Sequence, residues 1–143
     1  MSSSLYAAAI ALAFFWCGCV AAISFLEAWL KFSAPGVTLP IGLSIGRLVF
    51  SALNKVEWVL AIATVGCLFA AGSWTNGAGW LAATIVVLAV ETVWLLPVLD
   101  KRALAYMSDL PPAPSSIHFV FVAAELVKII CLAVAGIKIF KSI

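Results

Sequence analysis

The residues able to do chemistry are few, and they are unevenly placed. Four glutamates go one to each of four long apolar stretches, Glu91 and Glu125 within theirs and Glu27 and Glu57 at the border of theirs, and Lys128 shares the last stretch. A charge near the centre of a bilayer costs about 2.5–3.5 kcal/mol on insertion scales, so such residues face inward, find partners and mark functional sites by default. The chemistry open to them is binding of a proton, an ion or a small polar ligand, with bases as counter-charges. Glu27 has Lys31 one helical turn later, Glu57 has Lys55 and Arg47 nearby, and Glu125 has Lys128 at i+3 and His118 at i−7. Glu91 has no base in its own stretch and is expected either to meet Lys128 or to carry a proton. With Asn54, the candidate ligand-binding set is Glu27, Arg47, Asn54, Glu57, Glu91, His118, Glu125 and Lys128. The competing reading is an internal polar network that only fixes helix register.

Other chemistry finds less support. Cys17, Cys19, Cys67 and Cys131 all lie in apolar stretches without a C-x-x-C pair, and they read as small packing residues. A lone histidine, His118, excludes a haem held by two histidines of one chain. Four glutamates without a Glu-x-x-His pair argue against a di-metal bundle site. A single ion held by Glu91, Glu125 and His118 is geometrically conceivable, but the expectation is no metal. Nucleophilic triads and glycine-rich phosphate loops are missing, so no cofactor can be named and an enzymatic role stays open.

The elements that position these residues follow from composition. The chain has 143 residues, 66% hydrophobic and 10% charged, with a mean hydropathy of +1.23. Soluble domains run near 45–50% apolar and about 25% charged. The expected solvent and first partner is therefore the lipid bilayer, while a net charge of +2 argues against a nucleic-acid binder. A spanning helix needs roughly 20 apolar residues. Leu5 to Leu26, Trp58 to Trp74, Trp80 to Leu99 and Ile117 to Phe140 meet or approach that length. They predict an all-α, four-helix antiparallel transmembrane bundle forming one domain, 1–143. The first stretch has no Lys or Arg before it, which argues against a cleaved signal peptide; cleavage near Ala21-Ala22 would leave three helices.

Between the first two spans, Pro35-Gly36 signals a turn, and Thr38 with Pro40 suits a helix start. Ile41 to Asn54 reads as a short amphipathic helix before the second span, with Ser44, Arg47, Ser51 and Asn54 on one face. Ser73 to Gly79 makes a tight hairpin. Asp100 to Pro114, with Asp109 and Pro111-Pro112-Ala113-Pro114, reads as an exposed linker. Most tryptophans, Trp74 among them, lie near span ends and read as interfacial anchors. Glu91 and Glu125 each lie about 13 Å from the same membrane edge. Lys31, Arg47, Lys55, Lys101 and Arg102 share that side, against Lys138 and Lys141 on the other. The positive-inside rule then puts both connections in the cytoplasm and both termini outside, in a cell inner (cytoplasmic) membrane.

The stretches Phe25-Leu26-Glu27-Ala28-Trp29-Leu30-Lys31-Phe32, Ala34 to Leu43 and Gly46-Arg47-Leu48-Val49-Phe50 carry a resemblance. So do Glu91 with Pro97, Leu99, Asp100 and Arg102, and His118 with Glu125 and Lys128. Together they resemble an uncharacterised family of small four-helix bacterial integral membrane proteins. That likeness implies a bacterial cytoplasmic membrane and a full-length single-domain unit, and it implies no activity. A looser, topological likeness is to a eukaryotic four-helix membrane family associated with drug resistance. The leading expectation is binding or passage of a small polar ligand, proton or ion at the Glu/Arg/Lys cluster. The alternatives are an accessory subunit of a larger membrane complex or a homo-oligomer, and a membrane enzyme acting on a lipid or quinone. The last predicts an elongated apolar pocket beside the cluster.

Overall fold

The computed structural model describes residues 2–72, 77–108, 110 and 112–142. Residues 73–76 of the expected hairpin, Trp74 among them, and Asp109 and Pro111 lie outside the described residues. Among those described, four helices are long and apolar enough to cross a membrane: α1 (Ser3–Ser33), α2 (Leu39–Ala70), α3 (Ala78–Met107) and α4 (Ile117–Phe140). Their contacts run in alternating directions. Trp16 meets Glu57 and Lys31 lies against Gly46, so α1 and α2 are opposed. Arg47 meets Asp100 and Asn54 meets Thr92, so α2 and α3 are opposed. Lys128 meets Glu91, and Ile139 lies against Gly77, which opposes α3 and α4.

Local chemistry accounts for the helix boundaries. Val37 N–H donates to the Ala34 carbonyl at 3.2 Å, closing a turn with Pro35 and Gly36 in its centre. Gly36 has φ +83°, the left-handed conformation that a type II turn needs after its proline. Thr38 is extended before the first turn of α2, where Pro40 loses nothing by lacking an N–H. Among the described residues, the Thr38 hydroxyl makes no capping bond.

Two expectations need correction. Ile41 to Asn54 is not a separate amphipathic helix: α2 runs without a break for 32 residues, about 48 Å. No proline lies between Pro40 and Ala70, and Arg47 on the polar face is matched by Asp100 of α3. The second change is in α3, which continues to Met107 and makes Asp100, Lys101 and Arg102 helical rather than part of a linker. The remaining stretch has Arg102 donating to the Ala113 carbonyl at 2.9 Å, which ties it back to α3.

Two helices widen locally. Residues Ala22–Glu27 of α1 and Glu91–Leu95 of α3 form π-helical turns. The second precedes Pro97, whose ring would strike the Val93 carbonyl of a regular helix. Wide turns rotate the following residues and are frequent at functional sites. Here the consequence is that adjacent Glu91 and Thr92 both turn toward other helices, one to Lys128 and the other to Asn54.

One half of the bundle is a close-packed apolar core of Ala9, Leu60, Leu68, Leu81, Leu132 and Ile139. The outward face is also apolar, with Leu48, Val59, Ile62, Phe69, Val93 and Phe119 exposed. That inverts the pattern of a soluble protein. At Gly77, an added Cβ would stand 2.8 Å from the Ala135 carbonyl oxygen and 2.7 Å from Ile139 Cγ1. The first of these is backbone and cannot swing aside. Gly77→Ala is therefore expected to lower stability by about 1–3 kcal/mol, the usual cost of overpacking, measured by thermal unfolding in detergent.

Candidate functional site

Where the apolar core ends, four ionisable side chains converge. Lys128 lies near the midpoint of the 24-residue α4 and is fully buried. Its Nζ is 2.7 Å from Glu57 Oε1, 2.5 Å from Glu91 Oε2 and 3.2 Å from Glu125 Oε1. The three glutamates are at most 2% exposed. Trp16 Nε1 donates to Glu57 Oε1 at 2.9 Å. All four helices thus contribute: Trp16 from α1, Glu57 from α2, Glu91 from α3, and Glu125 with Lys128 from α4.

The cluster is short of positive charge and of donors. One ammonium faces three carboxylates, which leaves two negative charges in excess when all four groups are ionised. Among the described residues, Glu91 Oε1 and Glu125 Oε2 have no hydrogen-bond partner. Neither does the buried Ser24 Oγ, which lies in the π-turn of α1 beside the Glu125 carboxylate. Unpaired buried charge is expensive in low dielectric, so the excess calls for compensation.

Beside the cluster lie two adjoining cavities, lobes that share part of their lining. The first, about 370 Å³, is lined by Lys31, Arg47, Asp100, Asn54 and Thr92 among others. The second, about 560 Å³, has Ser24 and Glu125 on its wall. Ala28, Phe32, Leu43, Phe50, His118 and Phe121 line both lobes. Glu125 therefore connects the buried cluster to open space.

The eight sequence-derived candidates separate into two sets. Glu57, Glu91, Glu125 and Lys128 form the inner cluster, in which Lys128 meets Glu91 across the bundle and Glu125 at i+3, as anticipated, and Glu57, which was not. Glu27, Arg47, Asn54 and His118 do not join it. Glu27 pairs with Lys31 at 3.2 Å, one turn along α1, in keeping with its spacing. Arg47 pairs through Nε and Nη2 with Asp100, not with Glu57. Asn54 and Trp58 both donate to Thr92 Oγ1, at 2.9 and 3.0 Å, and the Thr92 hydroxyl donates to the Leu88 carbonyl at 2.7 Å. His118 is exposed at the cavity rim. The carboxylates that could share a metal ion are therefore Glu57, Glu91 and Glu125, each offering an oxygen within 4.8 Å of the others, without His118. The Lys128 ammonium already touches all three. The four cysteines are free thiols on or within the helices.

Sequence reasoning missed Trp16 and Ser24. Trp16 lies well inside its apolar run, a position at odds with an interfacial anchor and the one signal that could have singled it out. No family model, curated protein or solved structure matches the chain.

Proposed function

We propose that this chain is a multi-pass membrane protein whose inner cluster takes up and releases protons from one side of the bilayer. The carrying observation is the charge imbalance: three buried carboxylates share one buried ammonium, with two carboxylate oxygens and a serine hydroxyl left unbonded. Protons meet that imbalance without needing room. A metal ion would have to displace the Lys128 ammonium from the point where the carboxylates converge. Access from one side is supported by Glu125 on the cavity wall and by the close-packed core on the opposite side. That arrangement favours binding over passage. By the positive-inside rule the cavity opens toward the cytoplasm and both termini lie outside. We place the protein in a bacterial inner membrane, with the small four-helix proteins it resembles.

The test is infrared spectroscopy of the detergent-solubilised chain. A protonated carboxyl band is expected that moves on deuteration, responds to pH and loses intensity in Glu125→Gln. A wild-type spectrum without such a band at any pH at which the protein stays folded overturns the reading.

A further inference from the structure

The cavity has chemistry of its own that the proton site does not use. Its walls are largely apolar, with Phe32, Leu43, Phe50 and Phe121 shared by both lobes. Set into the first lobe are three cationic side chains, Lys31, Arg47 and Lys55, against one acid, Asp100. Lys31 is held deep. Its side chain is 9% exposed, and its Nζ lies 5.4 Å from the Phe50 ring centroid and 5.6 Å from that of Phe32. Gly46 makes the space: a Cβ there would stand 2.9 Å from the Lys31 Nζ.

The cations have donors to spare. Lys31 uses one of its three on Glu27, at 3.2 Å. Arg47 spends Nε and Nη2 on Asp100, leaving the rest of its five-donor fork. Lys55 is exposed, and no ion pair involves it among the described residues. Surplus donors beside aromatic and aliphatic walls suit a ligand with an anionic, acceptor-rich head and an apolar body. Lobes of about 370 and 560 Å³ fall in the range of small-molecule sites, roughly 300–1,000 Å³.

We propose that this cavity binds the head and first chain segments of an anionic phospholipid. The phosphate sits between Lys31 and Arg47, with Lys55 adding charge at the edge. The chains leave through the second lobe past Trp29, which is exposed on its wall. A soluble anion would leave those apolar walls wet, which is why a lipid is the occupant. The inference does not rest on the proton site, because Lys31, Arg47 and Lys55 take no part in that cluster.

The experiment is native mass spectrometry of the full chain in detergent, titrated with phosphatidylglycerol or phosphatidylcholine. One phosphatidylglycerol per chain should survive transfer, with at least tenfold weaker retention of phosphatidylcholine. Arg47→Gln should weaken phosphatidylglycerol retention about tenfold, and Lys55→Gln several-fold. Ala28→Phe fills both lobes without changing charge and should abolish retention. Lys55→Gln alters an exposed side chain, so it reads the charge dependence even if the Arg47 variant does not fold. Equal retention of the two lipids, or full retention by both Lys55→Gln and Ala28→Phe, overturns the proposal. So does loss of phosphatidylglycerol to millimolar inorganic phosphate, which would assign the site to a soluble anion.

Discussion

Lys128→Met is expected to destabilise the bundle by about 3–5 kcal/mol, the cost of breaking a buried ion pair by removing one partner. Methionine fits the volume and helix propensity of lysine, so packing and local structure contribute little to the loss. What remains is three buried carboxylates with the Trp16 N–H bonded to Glu57 and the Ser24 hydroxyl beside Glu125. The same variant should acquire a property that the wild type lacks. The oxygens of Glu57, Glu91 and Glu125 lie within 4.8 Å of one another. Calcium holds oxygen ligands at about 2.3–2.6 Å, so two ligands of one ion stand up to roughly 5 Å apart. All-oxygen sets suit calcium, magnesium and manganese. Millimolar calcium or manganese should therefore raise the unfolding temperature of Lys128→Met and leave that of the wild type unchanged. Thermal unfolding in detergent, with and without the ion, reads both arms. Full wild-type stability of the variant without added ion would mean that the ammonium is not the counter-charge of the cluster.

The legible part of this site was legible through charge. Glu91 and Glu125 sit at matching depth because each lies nine residues from a polar boundary, and the lack of any base near Glu91 pointed across the bundle to Lys128. Glu57 escapes such a reading for a specific reason. Starting the second span at Trp58 puts Glu57 at a membrane edge, among Arg47 and Lys55. The unbroken helix from Leu39 to Ala70 puts it midway, where it meets Lys128 and Trp16. The place of Trp16 inside an apolar run sets it apart from the interfacial tryptophans but does not tell whether its N–H faces lipid or a carboxylate. Pro97 marks the wide turn at Glu91–Leu95, but nothing in Ala22–Glu27 marks its counterpart in α1. Ser24 illustrates the effect. A serine in a membrane helix ordinarily bonds back to a carbonyl of the preceding turn, as the Thr64 and Thr84 hydroxyls do here. Ser24 does not, and this is visible only once the helix geometry is known.

Glu91→Gln separates a structural network from a proton site, because the two readings expect opposite stability changes. If Glu91 serves as a permanent counter-ion to Lys128, removing its charge breaks a buried pair and costs about 3–5 kcal/mol. The charge count argues otherwise. Glu57 and Glu125 still hold Lys128, at 2.7 and 3.2 Å, and the set falls from two negative charges in excess to one. The introduced glutamine also keeps the shape of the carboxyl group, and its amide nitrogen brings two donors to a region where Glu125 Oε2 has no partner. The expected result is an unfolding temperature equal to or above that of the wild type. Functionally the loss should be large. One carboxyl able to bind a proton is gone, and the pH-dependent infrared band should fall by the share of that group. Stability retained together with a diminished band identifies Glu91 as a proton-binding residue. A folded variant several kcal/mol less stable, with an unchanged band, identifies it as a clamp on helix register.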